Sequence, residues 1–170
     1  HVGDDAFALL LGDTIIQSDI PCTEQLIREA EAHESSTISL ERVPWDDVPS
    51  YGVADIETTP SSQSSFPVTD FVEKPARDAA PSNLAITGRY VLTSEIFDAL
   101  ESTTKGVGGE LQLTDAIRKL DSVRGVEFEG DRYDIGNIPS WLQANIEMAH
   151  HHDDGEMNAA VQNLIEEQFA

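Results

Sequence analysis

The chain has 170 residues, 32 Asp or Glu against 10 Lys or Arg, and a formal net charge of −22. Its lysines are Lys74, Lys105 and Lys119 alone, so the basic stripe that a nucleic-acid binder needs to displace counterions is missing. The longest aliphatic run, Ala8 to Leu11 preceded by Phe7, is far shorter than the ~20 residues of a membrane helix. Nucleic acid and membrane are therefore excluded as partners.

Hydrophobic residues at 39% and charged residues at 25% are the balance of a folded chain, and one domain over residues 1–170 is expected. A lone cysteine, Cys22, and the lack of a cationic, then apolar, then small-residue leader point to a reducing, cytoplasmic setting. The acids are spread along the chain rather than gathered in a tail. Together with the scarcity of lysine, that spread reads as a solvating surface adapted to high salt, where screening removes self-repulsion.

In chain order, Phe7 to Leu11 followed by Gly12 predicts a strand buried on both faces. Pro21, Cys22, Leu26, Ile27 and Ala30 have helical spacing. Ser36 to Val43 alternates and predicts a strand with one apolar face, so strand, helix and strand form a crossover unit of an α/β sheet. Tyr51 to Ile56 is the next strand. Thr58 to Ser65 reads as a solvated loop of a hairpin that returns through Val68 to Glu73 and stops at Pro75. Leu84 to Leu92 is a further strand. Helices are expected over Ser94–Leu100, Leu111–Leu120, Pro139–Ala149 and Glu156–Phe169, the last with an apolar stripe of Met157, Val161, Leu164, Ile165 and Phe169.

Two acids stand where a short strand meets a glycine turn: Asp13 after Gly12, and Asp134 in Tyr133-Asp134-Ile135-Gly136. Acids at strand ends commonly bind backbone amides. The same position is also where open α/β sheets bind ligands, and magnesium typically takes one or two protein carboxylates with waters and phosphates. Glu73-Lys74-Pro75 is the third element. Its lysine is either a point charge for a phosphate beside a carboxylate for sugar hydroxyls, or half of an ordinary surface ion pair. Gly106-Val107-Gly108-Gly109 lacks the ending of a phosphate loop and reads as a turn. His150-His151-His152 reads as a helix end rather than a metal site. No nucleophilic triad or zinc set assembles.

Several segments occur together: Leu11-Gly12-Asp13, Tyr51-Gly52-Val53, Val72-Glu73-Lys74-Pro75, Ala80 to Leu92, Gly108 to Ile117, and Tyr133-Asp134-Ile135-Gly136. In this order they resemble the prokaryotic UTP-glucose-1-phosphate uridylyltransferases, within the sugar nucleotidyltransferase group. The resemblance implies a Rossmann-like mixed sheet flanked by helices, of the nucleotide-diphospho-sugar transferase type. It implies in-line transfer of a uridylyl group from UTP to glucose 1-phosphate with release of pyrophosphate, and a homo-oligomer. By motif match Asp13 and Asp134 would hold Mg2+, Glu73 would bind glucose hydroxyls, and Lys74 the sugar-linked phosphate. Gly52 would let backbone approach the sugar, and Glu110 would add a contact on the sugar side.

The family's glycine-rich nucleotide loop is not matched in this sequence, and His1-Val2-Gly3-Asp4 corresponds to a point just before the metal-binding strand. On the resemblance, the sheet is expected to lack its N-terminal strands and the chain to be inactive alone. Two other readings stand beside this one: a non-catalytic module that binds sugar phosphate or a partner subunit, and a thymidylyltransferase acting on the same sugar.

Overall fold

Apolar runs cut by glycine and proline become strands, and amphipathic stretches become helices, in a computed structural model that describes residues 2–56, 64–104, 109–151 and 155–169. The chain divides into two units. The first comprises His1–Leu11 with Gln17–Gly130, and the second Gly12–Ile16 with Asp131–Ala170.

In the first unit the sheet order is β5 (Ser65–Pro67), β8 (Val123–Glu127), β3 (Ser36–Arg42), β7 (Leu84–Leu92), β4 (Gly52–Asp55) and β6 (Asp70–Glu73), with β1 (Phe7–Leu10) also paired to β7. β3 and β8 are parallel, and the other pairs in this sheet are antiparallel. The α/β class and the mixed sheet are as expected. Helix α1 (Cys22–His33) connects β1 to β3 and lies against β3, β7 and β8, which is the anticipated crossover. It begins behind Pro21 and ends at Glu34, whose φ of 49° is the left-handed conformation that closes many helices.

β7 organises the sheet. One of its edges pairs with β3 on both sides of a register shift; the other pairs with β4 at Ala85 and with β1 from Arg89 to Leu92. Gly88 marks the change of neighbour. Its φ is 78°, and its carbonyl accepts the Leu11 N–H at 2.9 Å.

Ile38, Leu40, Phe66, Phe71, Leu84, Leu92, Ile96 and Ile117 form the main core, closed by α2 (Glu95–Ser102) and α3 (Leu113–Ile117). A satellite cluster of Val43, Val48, Val53 and Ala85 lies under the start of β4. The register of β3 against β7 shifts between Ile38 and Leu40. There the Ser39 hydroxyl donates to the Arg89 carbonyl at 3.0 Å and accepts from Thr87 at 2.6 Å, which satisfies polar groups that burial would otherwise penalise.

One expectation is corrected and another extended. β1 is not buried on both faces: Phe7 and Leu9 pack on the core, while Ala8 and Leu10 on the other face are exposed, Leu10 and Leu11 by 52% and 41%. β3 has the expected apolar face of Ile38 and Leu40, but its polar face is buried as well, with Thr37 and Ser39 satisfied by hydrogen bonds. Three strands escaped the sequence reading: β2 (Thr14–Gln17), β5 and β8. α3 is also shorter than the expected Leu111–Leu120.

In the second unit β2 pairs with β9 (Asp131–Asp134), followed by α4 (Ile138–His151) and α5 (Glu156–Phe169). Both helices fall where periodicity places them. On α4 Ala144 is buried while Ile138, Trp141 and Leu142 are at least half exposed; on α5 Leu164 and Ile165 are exposed rather than packed in a core. The side chains of Met157, Val161 and Phe169 lie outside the described residues, as do those of His150 to His152, Lys105, the glycine turn at Gly106 to Gly108, and most of the Thr58–Ser65 loop.

Candidate active site

The β4–β6 pair brings together three of the expected residues. Gly52 stands opposite Glu73 in the ladder, and the missing side chain at Gly52 is the space that Glu73 fills. A Cβ there would lie 2.9 Å from Glu73 Oε2 and 3.2 Å from Ile86 Cδ1. The Thr114 hydroxyl, on α3, donates to Glu73 Oε2 at 2.8 Å. Thr114 was missed by sequence reasoning, since only the fold reveals that α3 lies on β6.

Lys74 follows at the strand's end. Its N–H donates to the Tyr51 carbonyl at 3.0 Å, extending the ladder by one residue, and its φ is 45°. A left-handed conformation is unfavourable for a residue with a Cβ, and one that precedes proline has still fewer options. Strain of this kind concentrates at functional sites. Lys74 is exposed, and among the described residues it forms no ion pair with Glu73 or any other acid. The surface ion pair that the sequence left open is therefore not formed.

α3 is fixed on β6 by a second contact. Arg118 donates to Asp70 from Nε at 2.6 Å and from Nη2 at 3.0 Å, the bidentate fork that guanidinium and carboxylate favour. Hydrogen bonding from Arg118 outweighs partial desolvation, and together with the Phe71 N–H it holds the Asp70 carboxyl below its ordinary range. Glu110 is exposed in the segment ahead of α3.

Asp13 and Asp134 meet in the second unit. The Ile135 N–H donates to the Asp13 carbonyl at 2.8 Å, so the chain at Asp13 is tied beside the end of β9. The Gly136 N–H donates to Asp134 Oδ1 at 3.0 Å. A Cβ on Gly136 would be 3.1 Å from that same Asp134 oxygen and 4.0 Å from Asp13 Oδ2. Both carboxylates thus converge over one bare glycine. Arg132 Nη1 is 3.7 Å from Asp134 Oδ2, and the Asp134 side chain is 39% exposed. Beside it the Tyr133 phenol is raised, by desolvation first and then by its bond with Glu147.

Among the described residues no group of three or more His, Cys, Asp or Glu could enclose a metal ion. An open pair of carboxylates is nonetheless what an octahedral divalent cation uses when waters and phosphates supply the remaining ligands, so the donor set fits. A groove of about 490 Å3 lies elsewhere, between β1 and α1, lined by Phe7, Ala8, Ile27, Ala30 and Leu92. It is mostly apolar, with Glu31 and Glu34 in its lining as well, and contains none of the expected site residues. Among the described residues no helix is long and apolar enough to cross a membrane.

Comparison with known proteins places the chain in a family. The UTP–glucose-1-phosphate uridylyltransferase of Staphylococcus epidermidis is 46% identical over 151 residues, 87% of this chain and 52% of the relative. The chain thus spans about half the length of the curated relatives it matches. A UTP-bound UGPase from Acinetobacter baumannii superposes with a TM-score of 0.83 at 32% identity, covering 98% of this chain and 58% of that one. A UDP-glucose pyrophosphorylase complexed with UDP-glucose gives a TM-score of 0.78 at 35% identity, over 84% of this chain and 55% of that one. With residues 1–151 matching its pattern, the chain belongs to the nucleotidyl transferase family.

Proposed function

We propose that this chain carries the sugar-phosphate and cation-holding residues of a UTP–glucose-1-phosphate uridylyltransferase. The observation that carries the reading is the end of β6, where an exposed lysine, without an ion pair among the described residues, follows in a strained backbone a carboxylate with one oxygen already hydrogen-bonded. Glu73 accepts hydrogen bonds from glucose hydroxyls, Lys74 pairs with the sugar-linked phosphate, and Glu110 adds a contact on the sugar side. A phosphate oxygen of glucose 1-phosphate attacks the α-phosphorus of UTP in line. The bond from that phosphorus to the bridging oxygen breaks, and pyrophosphate leaves with the electron pair. No covalent enzyme intermediate is involved, so positioning and charge neutralisation supply the rate.

Asp13 and Asp134 hold Mg2+, which when bound screens the charge of the two anions. The acid excess reads as adaptation to high salt, supported by a chain of −22 with three lysines. The free, buried Cys22 supports a reducing cytoplasm, and the apolar residues exposed on α4 support a homo-oligomer. We further read the two units as parts of one catalytic domain.

The test is calorimetric titration with glucose 1-phosphate, comparing the chain with Lys74→Ala. Loss of a charge-assisted phosphate contact should weaken binding about tenfold or more. Equal affinities would reject the assignment.

A further inference from the structure

We propose that Thr114 is a positioning residue that sets the affinity for sugar by aiming the Glu73 carboxylate, an inference that rests on the reading of Glu73 as the acceptor of sugar hydroxyls. A glutamate at a strand end has three side-chain torsions and, when half exposed, no reason to hold one rotamer. Glu73 is constrained from two sides. Gly52 leaves the space that its carboxylate enters, and Thr114 Oγ1 reaches Oε2 at 2.8 Å.

A threonine hydroxyl has one proton to donate, so that bond fixes the hydroxyl rotor and the carboxylate together. Thr114 is itself held on a fixed element. Ala116 and Ile117 of α3 are 0% and 1% exposed, and one turn beyond Thr114 the Arg118 fork grips Asp70, the first residue of the strand that ends in Glu73. Position 114 on the helix thus registers against position 73 on the strand.

The result is a division of labour between the two carboxylate oxygens. Oε2 is committed to Thr114, while Oε1 takes no hydrogen bond among the described residues and is the acceptor left for a ligand hydroxyl. A valine at 114 keeps the shape and removes the donor. Glu73 then spreads over several rotamers, and sugar binding must select one of them.

The experiment titrates the 170-residue chain with glucose 1-phosphate and, separately, with inorganic phosphate, for the parent, Thr114→Val, Thr114→Ser and Glu73→Gln. Thr114→Val is expected to weaken glucose 1-phosphate about tenfold and to leave phosphate, held through Lys74, unchanged. Thr114→Ser restores the donor and should recover the parent affinity to within about twofold. If Glu73→Gln weakens glucose 1-phosphate and Thr114→Val does not, the positioning role is overturned while the reading of Glu73 stands. If Glu73→Gln leaves glucose 1-phosphate affinity unchanged, or the parent shows no sugar-dependent binding, the underlying reading fails and the inference with it. Equal weakening of both ligands by Thr114→Val, or failure of serine to restore affinity, makes Thr114 a structural residue only and overturns the proposal. Should Thr114→Val not fold, Thr114→Ala carries the same comparison.

Discussion

Glu73 ends a strand whose neighbour Phe71 is 2% exposed, whereas Asp13 and Asp134 sit at the end of a two-stranded ribbon beside a helix that leaves Ile138 80% exposed. The first region orients its carboxylate by a side-chain hydrogen bond from a helix anchored in a core. The second uses backbone: an amide on the Asp13 carbonyl and a glycine amide on Asp134. An isolated ribbon is marginal without further packing, and on the proposed reading it would supply only two carboxylates of an octahedral shell, water and phosphates supplying the rest. Recognition of a sugar needs fixed acceptors, and on the proposed reading the stiffer scaffold would hold them.

The sharpest way to break this contrast is at the acids. Asp134→Ala should lower magnesium-dependent uridylyl transfer, measured in the whole protein, by roughly a thousandfold, the scale of several kcal/mol of charge stabilisation. The thermal transition of the seven-stranded sheet should survive, and unchanged turnover would remove the cation from the picture. Phe71→Ala attacks the other side. Emptying a buried aromatic site costs about 3–5 kcal/mol, so the unfolding midpoint in denaturant should fall steeply; a shift of under about 1 kcal/mol would show that this core is not what holds β6.

Gly52→Ala is milder and more pointed. Its Cβ would fall 2.9 Å from Glu73 Oε2, so the carboxylate must move, and glucose 1-phosphate affinity should drop about tenfold with folding largely intact. Retained affinity would argue that Glu73 has no fixed role.

The smallest effect is at Asp70. Its carboxyl is held below the ordinary range by Arg118, so it adds stability that is complete above the unfolded value of about 3.9 and is lost as pH falls through the lower, folded value. With side chains 46% and 41% exposed, the pair contributes at most about 1 kcal/mol. Asp70→Asn should therefore trim the unfolding midpoint slightly at pH 7, and the difference should shrink as pH falls through the folded value. A difference that persists in acid would point to packing instead of charge.

Much of this was legible in the residues. Runs such as Leu84 to Leu92, and Tyr133-Asp134-Ile135-Gly136 with its glycine stop, gave their elements and the ends of strands where chemistry gathers. The segment matches marked Asp13, Gly52, Glu73, Lys74 and Asp134 as positions to inspect. β2, β5 and β8 were not legible, since Thr14–Gln17, Ser65–Pro67 and Val123–Glu127 are short and carry little alternation; tertiary pairing makes them strands. The half-exposed face of β1 was illegible too, because an apolar run does not say how many neighbours it will find. Thr114 needed a contact across 41 residues, from β6 to α3, that local pattern does not encode.

Cys22 opens α1 and is 5% exposed. Burial pushes its thiol up to about 11, with Arg89 pulling it partly back, so in the seated helix almost no thiolate exists at neutral pH and no reagent reaches it. Alkylation then waits for the first turn of α1 to lift from the sheet. Its rate is a clock for that opening, and one residue gives the chain a built-in reporter of how tightly its crossover helix is latched.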